Sequence, residues 1–260
     1  MKSTLTAALL GAFAFASAST QAASQAQATL SSISYELIDT DLNDGITPSL
    51  TFLYQNTNHR HAEVWTSYGN HAQNNGDGFS GAFASLNVPG ESAIAMITGR
   101  DFVIPAALWS SAVVGDGTNF MNSAGTFITG SNQFYLSGNT QVKISTNASL
   151  STRTDLATFG DYARASVYAG ASLYANSQFL GASSEGLDSR LGYGGATGTS
   201  ENLSETWNLL LDNNRSETAV GTFEFSSYLT VASQVPESNT YAMLLAGLGL
   251  LGFAARRRKA

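Results

Sequence analysis

The chain has 260 residues, no cysteine and a formal net charge of −7. The absence of cysteine excludes a disulfide-stapled scaffold and a thiol nucleophile. Residues 24–234 hold 7 Lys and Arg against 18 Asp and Glu, a balance of −11 without any cluster of cations, which argues against nucleic acid or anionic lipid as a partner of this region.

The first 23 residues predict a secretory signal peptide. Met1-Lys2 supplies a positive start, residues 5–18 are apolar or small, and residues 20–23 end in small side chains that a signal peptidase accepts. We therefore expect export through the Sec translocon and assign residues 1–23 to the signal peptide.

Residues 24–234 predict one all-β domain, because their hydrophobic pattern has a period of two. In residues 141–150 every second side chain, from Val142 to Leu150, falls on one face of an extended strand, and polar side chains fall on the other. The same alternation predicts strands at residues 162–174 and 222–231. The predicted inward positions are Val142, Ile144, Thr146, Ala148, Leu150, Ala163, Ala165, Val167, Ala169, Ala171, Leu173, Phe223, Phe225, Ser227, Leu229 and Val231.

Weaker strand patterns cover residues 30–38, 49–54, 62–68, 82–88, 92–98 and 118–128. Turn sequences such as Asp44-Gly45 and Gly138-Asn139 separate the strands. Many strands with regular turns favour an antiparallel β-sandwich, jelly-roll-like in type. We predict the longest loop at residues 181–201, which are rich in glycine.

The densest set of oxygen ligands follows the first predicted strand, at Asp39, Asp41, Asn43 and Asp44. Calcium favours such oxygens, but an EF-hand loop has glycine at its sixth position and glutamate at its twelfth. Counted from Asp39, the glycine here is seventh and the twelfth residue is leucine. The pattern favours a polar turn over a calcium site, and calcium stays a candidate ligand.

A second polar set alternates along the chain at His59, His61 and Glu63. On a strand these side chains project from one face, as a metal site could require. Their polar neighbours favour an exposed strand end instead. No sequence feature connects His71, the remaining histidine, to this set.

Aromatic residues leave room for a carbohydrate-binding face, since the chain has three tryptophans and ten tyrosines. Filling of the sandwich core is the favoured interpretation of these rings. A hydrolase has less support, because the run from Gly181 to Glu185 lacks the final glycine of the Gly-x-Ser-x-Gly turn.

Residues 235–260 read VPESNTYAMLLAGLGLLGFAARRRKA. The polar lead is followed by an apolar run at 241–255 and by cations at 256–259. As a helix the apolar run spans ~22 Å, shorter than the ~30 Å hydrocarbon core, so its flanks or a thinned bilayer must help it to cross. The cations stay on the cytoplasmic side, which places the preceding domain across the inner membrane.

This tail resembles the PEP-CTERM sorting signal of Gram-negative bacteria, with Ser238 in place of the family's second proline. The resemblance implies that an exosortase recognises Val235, Pro236 and Glu237 and removes the helix with Arg256, Arg257 and Arg258. It also implies a cargo of the cell surface, biofilm or exopolysaccharide. We expect a non-enzymatic exported protein; a carbohydrate- or calcium-binding module is the alternative, and a secreted hydrolase comes third.

Overall fold

The computed structural model describes residues 24–53, 60–67, 69–76, 81–98, 107–115, 122–154, 160–192, 200–233 and 248. The predicted signal peptide and all of the C-terminal tail except Leu248 lie outside these residues. Among the residues described, no helix has both the length and the apolar character needed to cross a membrane.

Thirteen strands make up the described domain, and every pair of neighbours is antiparallel. They are β1 (Ser24–Asp39), β2 (Leu50–Phe52), β3 (Arg60–Thr66), β4 (His71–Gly76), β5 (Phe83–Val88), β6 (Glu91–Thr98), β7 (Ala107–Val114), β8 (Asn122–Leu136), β9 (Thr140–Thr154), β10 (Tyr162–Ala175), β11 (Gln178–Gly192), β12 (Ser200–Asn213) and β13 (Ala219–Ser233).

The strands form two sheets. Sheet A has the order β12-β9-β1-β7-β6-β5, and sheet B has the order β11-β10-β13-β8-β3-β4 with β2 added against β8. Buried side chains of both sheets form a single apolar cluster between them. The predicted all-β, sandwich-like class is therefore confirmed, with thirteen strands here against the eight of a jelly roll.

The alternation read from the sequence gives the inward faces of three central strands. All sixteen predicted inward side chains of β9, β10 and β13 are at most 5% exposed. Two of these side chains carry hydroxyl groups, Thr146 and Ser227. Thr146 donates to the backbone oxygen of Ser31 at 2.9 Å, and Ser227 shares a hydrogen bond of 3.0 Å with Ser110 of the opposite sheet. Each hydroxyl is tolerated on the inward face because it has a hydrogen-bond partner.

The inward face of β10 is made almost entirely of alanine. Ala163, Ala165, Ala169 and Ala171 are buried against β1 and β9 of sheet A. Small side chains let the two layers approach closely, and larger residues such as Leu150 fill the space from the other side.

The prediction of a long loop at residues 181–201 is wrong for most of these residues. Residues up to Gly192 continue β11, which pairs with β10 from Gln178 onward, and β12 begins at Ser200. The first half of β11 is exposed on both faces, so it carries no alternation that the sequence could reveal. Strands β4, β7 and β12 were also missed.

Candidate functional site

The residues of the predicted sorting signal lie outside the described part of the chain. They are Val235, Pro236, Glu237, Arg256, Arg257 and Arg258. The candidate sites with a geometry are therefore in the sandwich: the acidic turn after β1 and the outer face of sheet B.

The acidic turn is held by its own side chains. Oδ1 of Asp39 and Oδ1 of Asp41 each accept a hydrogen bond from the backbone N–H two residues ahead, at 3.0 and 3.1 Å. Asp44 does the same at 2.6 Å, and its Oδ2 accepts from Nδ2 of Asn139 at 2.6 Å. Gly45 has a φ of 74°, which glycine adopts without steric cost. These are Asx turns, the geometry of a polar turn.

The calcium hypothesis for Asp39, Asp41, Asn43 and Asp44 gains no support from this geometry. Three carboxylates point back to backbone N–H groups, and the Asn43 N–H is itself one of the donors. Within the described residues, no group of three or more His, Cys, Asp or Glu is placed to hold a metal ion. Calcium binding at the turn stays a prediction.

Three polar side chains meet on the outer face of the β3–β4 hairpin, and we refer to His61, Glu63 and His71 as the His–Glu cluster. Oε2 of Glu63 lies 3.1 Å from Nε2 of His61, and Oε1 lies 2.8 Å from Nε2 of His71. Alternation along β3 places His61 and Glu63 on one face, as predicted, while Arg60 and Ala62 are buried. His59 lies outside the described residues.

His71 joins the cluster through strand pairing, because β4 folds back on β3 and places it opposite Trp65. A residue eight positions from its partner on a neighbouring strand leaves no spacing signal. Sequence reasoning therefore missed it; only the register of the hairpin could have revealed the contact.

The contacts of the cluster favour the protonated form of His61 and the ionised form of Glu63. Nδ1 of His61 lies 2.6 Å from Oδ1 of Asn75, and its Nε2 faces the Glu63 carboxylate, so both ring nitrogens lie against oxygen acceptors. The hydrogen bond to Asn75 and the one to Glu63 raise the pKa of His61 above its ordinary value of 6.5. Hydrogen bonds from His61 and His71 lower the pKa of Glu63 below its ordinary 4.5.

Aromatic rings continue from the cluster across the outer face of sheet B. The rings of Trp65 and Tyr228 lie 5.9 Å apart between centroids and are tilted by 36°. The guanidinium carbon of Arg164 lies 5.6 Å from the centroid of Tyr228, a distance that allows a cation–π contact. This face presents ring surfaces together with hydrogen-bonding groups.

The three tryptophans have different positions. Trp207 is 3% exposed and packs in the core, where its Nε1 donates to Oε2 of Glu205 at 3.1 Å. Trp65 and Trp109 are half-buried and point outward from sheets B and A. Core filling is confirmed for Trp207 alone.

Comparison with known protein families gives a match at the C-terminus. The family model described as the PEP-CTERM protein-sorting motif matches residues 234–259. The chain therefore carries a PEP-CTERM sorting motif. The match begins directly after Ser233, the last residue of β13, and covers the predicted sorting residues. No curated protein matches the chain.

The motif indicates how the protein is exported and sorted. It marks the chain as an exported protein that is anchored in a membrane and then sorted to the surface, with an exosortase as its processing partner. The match does not extend into the sandwich, whose activity must be inferred from its own surfaces.

Proposed function

We propose that this PEP-CTERM protein is a non-enzymatic component of the cell surface or extracellular matrix, associated with exopolysaccharide or biofilm. The sorting motif at residues 234–259 carries the proposal. The signal peptide predicted at residues 1–23 delivers the chain through the Sec translocon and is removed by signal peptidase. Exosortase then cuts near Pro236-Glu237 and releases the sandwich from the inner membrane.

The outer face of sheet A is consistent with a role outside the cell. Short polar side chains on β1, β9 and β12 bond to one another across strands. Thr29 and Ser149 share a hydrogen bond of 2.6 Å between hydroxyls, and Thr206 donates to Oδ1 of Asn147 at 2.9 Å. Such a face is hydrated and carries little charge, which suits a protein that stays soluble in a matrix.

The processing step is tested by the C-terminal mass of the protein in exported fractions, with and without the exosortase. We expect the mass to lack residues 241–260 only when the exosortase is present. Pro236→Ala should leave the tail attached, and Pro48→Ala, a proline in the β1–β2 connection, should be processed normally. An intact tail both with and without the exosortase would mean that the tail is a permanent membrane anchor and is not cleaved.

The non-enzymatic part has its own test. The sandwich, residues 24–234, is incubated with polysaccharides and the released ends are measured. We expect no turnover. Turnover that one acidic-to-amide substitution abolishes would instead establish the secreted-hydrolase alternative.

A carbohydrate-binding module is the second candidate function, and the ring surfaces of Trp65 and Tyr228 on sheet B favour it. Sugars stack their apolar faces on aromatic rings and bond through their hydroxyls to polar groups nearby. Retention of the wild-type sandwich by a glycan array would support this candidate over a purely structural role.

A further inference from the structure

Two aromatic side chains lie against the outer face of sheet B, and each reaches over a glycine. A Cβ built on Gly125 of β8 would overlap the indole carbons of Trp65, which pairs with Gly125 in the β3–β8 register. A Cβ on Gly170 would overlap the hydroxyl end of Tyr168 in the same strand. The glycines make room for the rings to lie against the sheet.

A ring that lies flat on a sheet keeps its other face turned outward. Trp65 is half-buried, as expected for an indole covered on one side, and Tyr168 is 41% exposed. Aromatic side chains used only for packing bury both faces, as Phe223 does. Trp65 and Tyr168 therefore present part of their ring surface on the outer face of sheet B.

The two rings lie on β3 and β10, which are separated by β8 and β13. The registers place Trp65 level with Arg164 of β10, and Tyr168 lies four residues further along that strand. Tyr168 is therefore displaced from Trp65 by roughly 14 Å across the strands and roughly 13 Å along them, and Tyr228 lies on the diagonal between them with the guanidinium of Arg164 against it. The aromatic positions form a track across the sheet, longer than a single sugar ring needs.

Polar groups flank the track. The His–Glu cluster lies beside Trp65, and Asp188 lies beside Arg164, with its Oδ1 at 3.8 Å from the Arg164 Nε. Hydroxyls of Ser166 and Ser226 occupy outward positions between them. These donors and acceptors match the hydroxyls of a sugar chain, whose apolar ring faces match the aromatic rings.

Charge selects the class of sugar. Residues 24–234 hold 18 Asp and Glu against 7 Lys and Arg, so the field of the whole domain disfavours a polyanionic chain. Arg164 and Arg190 both lie against the Asp188 carboxylate, which offsets part of their charge. We propose that the outer face of sheet B binds a neutral polysaccharide along the track from Trp65 to Tyr168. This inference rests on the carbohydrate-binding alternative and assigns that activity to one face.

The test uses the sandwich, residues 24–234, in native gels that contain a neutral glucan, a neutral galactomannan or anionic alginate. We expect a neutral polymer to retard the wild type and alginate to leave its mobility unchanged. Trp65→Ala and Tyr168→Ala should each weaken binding by about 5- to 30-fold, the usual effect of removing an anchoring ring.

Trp109→Ala is the matched control, because Trp109 is a half-buried tryptophan on the outer face of sheet A. Its binding should equal that of the wild type. Thermal unfolding of each variant separates loss of binding from loss of fold, and Tyr168→Ala serves if Trp65→Ala fails to fold.

Each outcome has one meaning. Retardation that Trp109→Ala abolishes and the sheet B variants keep would overturn the assignment to this face while leaving carbohydrate binding in place. Retardation by alginate alone would overturn the neutral class. A wild type that none of the polymers retards would overturn both the face and the carbohydrate-binding alternative, and would leave the matrix proposal to its own processing test.

Discussion

Glu63 makes two of the side-chain polar contacts of the β3–β4 hairpin. β4 is the last strand of sheet B and pairs with β3 alone among the described strands. Glu63 accepts hydrogen bonds from His61 on its own strand and from His71 on β4. The carboxylate therefore ties the edge strand to the sheet, and its effect must vary with pH.

The directions of the two pKa shifts define the pH range in which these contacts stabilise the hairpin. The pKa of His61 is raised from 6.5, so its stabilisation is complete below 6.5 and is lost as the pH rises through the folded-state value. The pKa of Glu63 is lowered from 4.5, so its stabilisation is complete above 4.5 and is lost as the pH falls through the folded-state value. Both contributions are present between these two ordinary values.

We expect Glu63→Gln to lower the melting temperature more at pH 5.5 than at pH 8. The extra loss should be ~1–3 °C, since partly exposed ion pairs contribute little. Thermal unfolding followed by circular dichroism measures it. Glu224→Gln, an exposed carboxylate on the outer face of β13, should show no such pH dependence. Equal losses at both pH values for Glu63→Gln would contradict the charged cluster.

Gly125 is the second residue with a defined steric role. A Cβ at this position would overlap the Trp65 ring and lie 2.8 Å from the backbone oxygen of Leu229, closer than real Cβ atoms approach. Gly125→Ala should lower the free energy of unfolding by about 1–3 kcal/mol, as overpacking does. Urea unfolding measures the change.

Gly181→Ala is the control for that substitution, because a Cβ at Gly181 meets nothing within 4 Å. It should leave stability unchanged or raise it slightly, since alanine reduces the entropy of the unfolded chain. Similar losses for both variants would mean that the indole does not lie on Gly125.

At the scale of elements, the alanine face of β10 fixes the distance between the sheets. Ala169 is fully buried, so Ala169→Leu must push the layers apart or force strained rotamers. We expect a loss of about 1–3 kcal/mol in unfolding free energy. Ser172→Leu adds similar bulk to the outward face of the same strand and should cost less. Denaturant titration compares them, and an equal cost would show that the layers have room to spare.

The strands that the sequence predicted most clearly have two faces that differ, although β12, whose second half also alternates, was missed. β9, β10 and β13 bury one side and expose polar residues on the other, so a period of two marks them. β4 is a short exposed edge with the sequence HAQNNG, and the first half of β11 is exposed on both faces. No hydrophobic pattern marks such strands, because backbone pairing alone holds them in the sheet.

Only those residues of the candidate site that lie on the same strand could be placed together from the sequence. Alternation placed His61 and Glu63 together, but His71 and Tyr228 reach this face through the registers of β3 with β4 and of β13 with β8. Register depends on packing across the whole sheet. The flat position of Trp65 needed Gly125 on a neighbouring strand, which is again a non-local pairing.

At the scale of the whole molecule, the first and last described residues of the domain leave from the same end. Ser24 pairs with Thr154 at the end of β9, and its hydroxyl donates to the Thr154 hydroxyl. Ser233 donates to Asp161 just before β10 begins. Thr154 and Asp161 flank the β9–β10 connection, so the predicted signal peptide and the sorting motif attach to one end of the sandwich.

This common end should face the membrane in the anchored precursor, because only residues 234–240 separate Ser233 from the apolar run at 241–255. The chain lacks cysteine, so Ser200→Cys and Ser216→Cys place single labels before and after the length of β12, roughly 45 Å apart. In vesicles that hold the full-length precursor, a lipid-bound quencher should dim a fluorophore at position 200 far more than one at position 216. After the tail is removed the two should be equally bright. Equal quenching in the precursor would show that the sandwich lies along the membrane instead of standing on this end.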